Sequence, residues 1–139
     1  MKLANILLIE ESDGDTAVFQ EFFARQRLCN KVTWVKSYRD ALLHFQRGEE
    51  FDLLVIDILL PGENGLELIE SLQMIPKYRD VPVIVMSGIE EDKKIDKTAQ
   101  QAANLGALAY IVKPLSFEKW WPVVQELKKL HIELMVEAA

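Results

Sequence analysis

The chain has one cysteine, Cys29, so no internal disulfide can form and a paired-cysteine zinc or redox site is excluded. A reducing, cytoplasmic setting is expected. It also lacks a basic excess: 16 Lys and Arg against 22 Asp and Glu leave a net charge of −6. That is the wrong sign for a phosphate-backbone partner, and the pairs Lys93-Lys94 and Lys128-Lys129 sit among acids as solvated helix faces, so no nucleic acid is expected. No apolar run reaches membrane-spanning length, which argues against a membrane partner. The opening MKLANILLIEE is not expected to be a secretory leader, because its short apolar stretch runs into Glu10 and Glu11 without a small-residue cleavage site. Linkers, repeats and low-complexity segments are missing too. The two histidines, His44 and His131, stand apart from the acidic residues and read as helix-surface positions.

What is present is apolar. Half of the 139 residues are hydrophobic, enough for one compact domain with a core of its own, and a single domain over 1–139 with no second one is expected. Four short runs, ANILLI (4–9), LLVI (53–56), VPVIVM (81–86) and ALAYIV (107–112), are nearly continuous, as in parallel strands covered on both faces, and are expected as the central strands. A fifth, KVTWVKS (31–37), is mixed in polarity and suits an edge. Helical patterns lie between: 15–28 with Val18, Phe19, Phe22 and Phe23 after the cap-like Ser12-Asp13; 38–47 with Ala41, Leu42 and Phe45; 65–75 with Leu66, Ile69 and Leu72; 91–105 with a thin stripe of Ile95, Ala99, Ala102 and Ala103; and a last helix with Val124, Leu127 and Leu134. Pro122 predicts a kink there, or a late start after Trp120-Trp121, of which one is expected in the core and one exposed. Alternation of five strands with five helices predicts an α/β fold, a doubly wound five-stranded parallel sheet of flavodoxin-like order 2-1-3-4-5.

In such a sheet ligands bind outside the carboxyl ends of the strands. The residues at those ends are Glu10 and Glu11, Asp57, Ser87 and Lys113. Asp57 interrupts the run FDLLVIDILLPGENGLELI (51–69), where a lone buried carboxylate is costly without a partner. Three carboxylates about 5 Å apart repel by roughly 3 kcal/mol per pair at an effective dielectric near 20, so the cluster needs cations. Lys113 supplies one charge, and Mg²⁺, which prefers carboxylates, water and phosphate oxygens, suits the rest. Asp57 could then act as a nucleophile toward phosphorus. The turn ILLPGENG, with Pro61, Gly62 and Gly65, can present the backbone carbonyl of Leu59 to the metal.

ILLIEE, LLVIDILLPGENG, VIVMSG and YIVKP, in order and each at a strand end, resemble the four motifs of the receiver domain of two-component response regulators. Within that family, IEESDGD and KPLSFEKWW are most similar to the stand-alone regulators paired with bacterial phytochromes. The resemblance implies that Asp57 accepts a phosphoryl group from a sensor histidine kinase or phosphotransfer protein. It further implies that Glu10, Glu11, Asp57 and the Leu59 carbonyl hold Mg²⁺, one acid through water, and that Ser87 and Lys113 bind the phosphoryl oxygens. Tyr110 would be the aromatic switch. Output would be association with a downstream protein target, or homodimerisation, through helix four, strand five and helix five. Such a chain is not an enzyme with an external substrate; it catalyses only its own phosphorylation and slow dephosphorylation.

Two features depart from the family pattern. Glu11 stands where Asp is usual, with Asp13 or Asp15 able to compensate, and the stretch from Ser87 to Lys113 is longer than in most receivers. The alternative is therefore an atypical receiver acting as a phosphorylation-independent docking module. A haloacid-dehalogenase-type phosphohydrolase would want an acid where Leu59 stands, and a flavin carrier would be repelled by EESDGD.

Overall fold

The computed structural model describes residues 5–25, 31–58, 60, 62–88, 92–113 and 116–129. Five strands, β1 (Asn5–Ile9), β2 (Lys31–Val35), β3 (Leu53–Asp57), β4 (Val83–Ser87) and β5 (Ala109–Val112), form one parallel sheet in the order β2-β1-β3-β4-β5. They alternate with five helices, α1 (Asp13–Arg25), α2 (Tyr38–Gln46), α3 (Gly65–Gln73), α4 (Asp92–Asn104) and α5 (Phe117–Lys129). The doubly wound expectation therefore holds. β1, β3 and β4 are buried on both faces, which is why their sequences run apolar without alternation.

Local chemistry sets the helix starts. Ser37 Oγ accepts from the Asp40 amide, Asn64 Oδ1 from the Leu66 amide and Ser12 Oγ from the Asp15 amide, each satisfying an otherwise orphaned first-turn donor. α4 ends in a Schellman arrangement. The Ala107 amide returns to the Ala102 carbonyl and the Gly106 amide to that of Ala103, while Gly106 takes the positive φ of 87° that the motif needs.

Two apolar layers sandwich the sheet. On one face, Tyr38, Ala41 and Phe45 of α2 with Leu68, Ile69 and Leu72 of α3 cover Leu7, Leu54, Ile56 and Val85. On the other, Phe19 of α1 meets Trp120 of α5 edge-on over Ile6, Leu8, Val55 and Ile84.

Several expectations change. ALAYIV is an edge strand, since β5 pairs only with β4, and its burial is correspondingly partial. Val18, Leu42 and Ala103 face outward, because each helix seats a narrower stripe than its apolar content suggests. The last helix does not start late. Ser116 caps it, accepting the Lys119 amide on Oγ and the Trp120 amide on its carbonyl, and it runs on through exposed Pro122. Burial of Trp120, Val123, Val124 and Leu127 offsets the roughly 3 kcal/mol that an interior proline costs. The tryptophans divide as expected, Trp120 wholly buried and Trp121 exposed. His44 is half-buried and paired with Glu49 instead of lying free on the surface. The side chains of Phe22, Phe23 and Ile95, and His131 and Leu134 altogether, lie outside the described residues.

Gly65 opens α3 where a side chain has no room: a Cβ there would stand 2.7 Å from Tyr38 Oη and 3.1 Å from Ile58 Cα. Gly65→Ala is expected to cost about 1–3 kcal/mol of stability despite alanine's better helix propensity, as read by urea denaturation.

Candidate functional site

The parallel arrangement brings the carboxyl ends of β1, β3, β4 and β5 to one edge of the sheet. Glu10 directly follows β1, Asp57 and Ser87 end β3 and β4, and Lys113 directly follows β5. The Lys113 arm spans the end of β4, and its Nζ lies 2.9 Å from Glu10 Oε2, 2.8 Å from Asp57 Oδ2 and 2.8 Å from Asp15 Oδ2. Glu10 and Asp57 are buried, with side chains 3% and 8% exposed, whereas Asp15 reaches in from α1 with half of its side chain in solvent.

Backbone contacts fix the donors. The Lys113 amide donates to the Ser87 carbonyl at 2.8 Å, extending the β4–β5 ladder by one residue and aiming the ammonium along the sheet edge. Glu10 Oε1 accepts from the Ser12 amide at 3.2 Å, and the Glu10 carbonyl accepts from Trp34 Nε1 at 2.7 Å. Ser87 is fully buried beside this edge. The Asp57 carbonyl accepts the Tyr38 hydroxyl at 2.7 Å.

The electrostatics follow. Burial pushes the Glu10 carboxyl up to about 7, helped by the neighbouring Asp57 and opposed by Lys113. Burial would lower the Lys113 ammonium, but its bonds to Asp15, Asp57 and Glu10 outweigh that and hold it above the ordinary lysine value. Burial, with the charges of Asp57, Glu63 and Glu10, also raises the Tyr38 phenol, which stays a donor near neutrality.

Of the expected site residues, the structure brings Glu10, Asp57 and Lys113 together, with Ser87 at the same edge. Glu11 is exposed on the loop before α1, and Leu59 lies outside the described residues. Of the two acids able to compensate for Glu11, Asp15 joins the cluster and Asp13 instead pairs with Lys36 at 2.8 Å. Tyr110 on β5 packs its ring against the α2–α3 layer, and its buried hydroxyl finds no partner among the described residues. Tyr38 carried no site signal in the sequence, where an aromatic opening a helix reads as core.

Among the described residues no three acidic, histidine or cysteine side chains converge as a ready metal cage. Two carboxylates do, Glu10 and Asp57, and Mg²⁺ is commonly held by one or two carboxylates with water and phosphate oxygens completing its shell. The donor chemistry therefore fits the ion. The cavity beside Lys113, walled by Leu8, Val18, Phe19 and Met86, holds only about 90 Å³.

The family model described as response regulator receiver domain matches residues 6–125. The probable methanogenesis regulatory protein FilR2 of Methanothrix harundinacea is 26% identical over 89% of this chain and 81% of its own length. The transcriptional regulatory protein MalR of Bacillus subtilis is 28% identical over 91% of this chain, which spans only 51% of that relative. Among solved structures, the bacteriophytochrome response regulator AtBRR superposes over the whole of both chains with a TM-score of 0.76 at 21% identity. The Mn²⁺-bound response regulator Rcp1 superposes over 97% of this chain and 99% of its own with a TM-score of 0.70 at 19% identity. At such identities these two likenesses are of fold. Among the described residues no helix is long and apolar enough to cross a membrane.

The raised Glu10 carboxyl makes metal-free stability depend on pH. Protonation is favoured by folding, so this contribution is complete below pH 4.5 and is lost as pH rises through about 7. Denaturation in chelator is expected to show a fall on the order of 2–3 kcal/mol across that window. Glu10→Gln is expected to flatten the profile.

Proposed function

This chain belongs to the response regulator receiver domain family, and from that premise we propose that it accepts a phosphoryl group on Asp57 from a histidine kinase or phosphotransfer protein and signals by a phosphorylation-dependent change in protein association. The single observation that carries this reading is the Lys113 ammonium held 2.8–2.9 Å from the two buried strand-end carboxylates, Asp57 and Glu10. A structural ion pair needs one acid. Two buried acids on one lysine form a site short of positive charge, suited to a cation and then to a phosphoryl group.

In the proposed reaction an Asp57 carboxylate oxygen attacks phosphorus, and the phosphorus–nitrogen bond of the donor phosphohistidine breaks with its electron pair returning to the imidazole. Lys113, already within 2.8 Å of Asp57, follows the incoming phosphoryl oxygens and offsets their charge. The Ser87 hydroxyl donates to one of those oxygens, and Tyr110 changes rotamer when Ser87 moves. Mg²⁺, when bound, supplies further positive charge at the same oxygens; Glu10 and Asp57 would hold it, with Glu11 acting through water and the Leu59 carbonyl beside them. Attack of water on phosphorus then releases inorganic phosphate and restores the carboxylate. The chain turns over only itself, in keeping with a regulator instead of an enzyme acting on an external substrate.

The α4–β5–α5 face is assigned to the output. Within it, α5 carries Trp121, 39% exposed with Lys128 over its ring, an aromatic of the kind that anchors protein contacts. The docking-module reading is favoured by one observation, the exposure of Glu11 on the loop before α1.

Intact mass after incubation with acetyl phosphate and Mg²⁺ separates the two. Gain of one phosphoryl group in the parent and none in Asp57→Asn is expected; a folded parent that gains nothing would leave the docking module. Sedimentation of the phosphorylated and unphosphorylated chain tests the output face. A shift toward dimer on phosphorylation is expected if the partner is a second copy, and a monomer in both states would exclude that partner.

A further inference from the structure

The last register pair between β1 and β3 is Ile9 with Ile56. Asp57 therefore lies one residue beyond the ladder on that side, at a position 6% exposed. Tyr38, the first residue of α2 and itself 6% exposed, donates its hydroxyl to the Asp57 carbonyl at 2.7 Å. On the opposite side of the same peptide unit, the Ile58 amide donates to the Met86 carbonyl at 2.9 Å. The peptide joining Asp57 to Ile58 is thus held at both ends, by β4 through its N–H and by Tyr38 through its C=O. Fixing that plane fixes the direction in which the Asp57 side chain leaves the backbone. A second contact ties the same two segments, because Glu63 Oε2 accepts the Tyr38 amide at 3.3 Å. Gly65 keeps the space clear, since any Cβ there would meet the Tyr38 hydroxyl at 2.7 Å.

We propose that Tyr38 is a positioning residue for Asp57: its hydroxyl, bonded to the Asp57 carbonyl, holds that peptide from the side opposite β4 and so sets how the carboxylate is presented to Lys113 and to an incoming phosphoryl group. Tyr38 touches no reacting atom. Its part is to limit the orientations of the nucleophile, which raises the fraction of encounters that react and sets the rate at which the site loads and empties. This regulation of rate rests on the phosphoacceptor reading of Asp57; the geometric role does not.

Tyr38→Phe removes the hydroxyl and keeps the buried ring. Three measurements on the full chain are needed: thermal unfolding, the Asp57 carbonyl and Lys113 ammonium resonances by NMR without metal, and the rate of labelling by acetyl phosphate at saturating Mg²⁺. Expected are a folded variant, displaced Asp57 carbonyl and Lys113 ammonium signals, and labelling slowed by about three- to tenfold, the size set by one net hydrogen bond. A lower melting temperature with both resonances and the labelling rate unchanged would reduce Tyr38 to a core residue and overturn the proposal. If the parent itself takes no label, the phosphoacceptor reading fails, and the resonances alone decide the positioning role: displaced, it stands; unmoved, it falls.

Discussion

One ammonium group holds the carboxyl edge of this sheet together. Lys113 stands at the outermost strand, yet its arm crosses the end of β4 to reach acids that follow β1, end β3 and open α1. Without it, Glu10 and Asp57 would be two buried carboxylates with like charge, a situation the fold could relieve only by protonation or by shifting the loops outward. With it, the cluster of three carboxylates on one ammonium is still short of positive charge, and burial together with the neighbouring Asp57 pushes the Glu10 carboxyl up to about 7. In the functional reading that deficit is what a divalent cation and the phosphoryl chemistry exploit.

The rest of the molecule keeps this edge in place. Both faces of β1, β3 and β4 are covered, one by α2 and α3 and the other by α1 and α5, so the strand ends cannot shift without disturbing a close-packed layer. Two backbone contacts extend the ladder there, the Lys113 amide to the Ser87 carbonyl and the Ile58 amide to the Met86 carbonyl, and the Tyr38 hydroxyl adds a third bond from α2 to the Asp57 carbonyl.

Tyr38 and Asp15 show how such an edge acquires features of its own. Both come from helices, not strands, and both reach the residues that the strands deliver, Asp15 through the Lys113 ammonium and Tyr38 through the Asp57 carbonyl. A helix start placed beside a strand end has its first turn within a side chain's length of that end. Residues there can act on the site without lying in any strand-end motif.

The strands, their parallel pairing and the acidic edge were determined by sequence alone, because a continuous apolar run of four to six residues buries on both faces wherever it pairs. Asp57, Glu10, Ser87 and Lys113 were legible for the same reason: each polar residue interrupts or ends such a run, and burial makes it conspicuous. Tertiary structure decided what depends on neighbours distant in the chain. It chose Asp15 over Glu11 and Asp13 as the acid on Lys113, 98 residues away, which only the packing of α1 against the sheet could settle. It let α5 run through Pro122 because Trp120 and Leu127 are buried against the sheet, and gave the Tyr38 hydroxyl its partner. Periodicity reports which face of an element is apolar; it carries no information about which atom of a distant segment that face will meet.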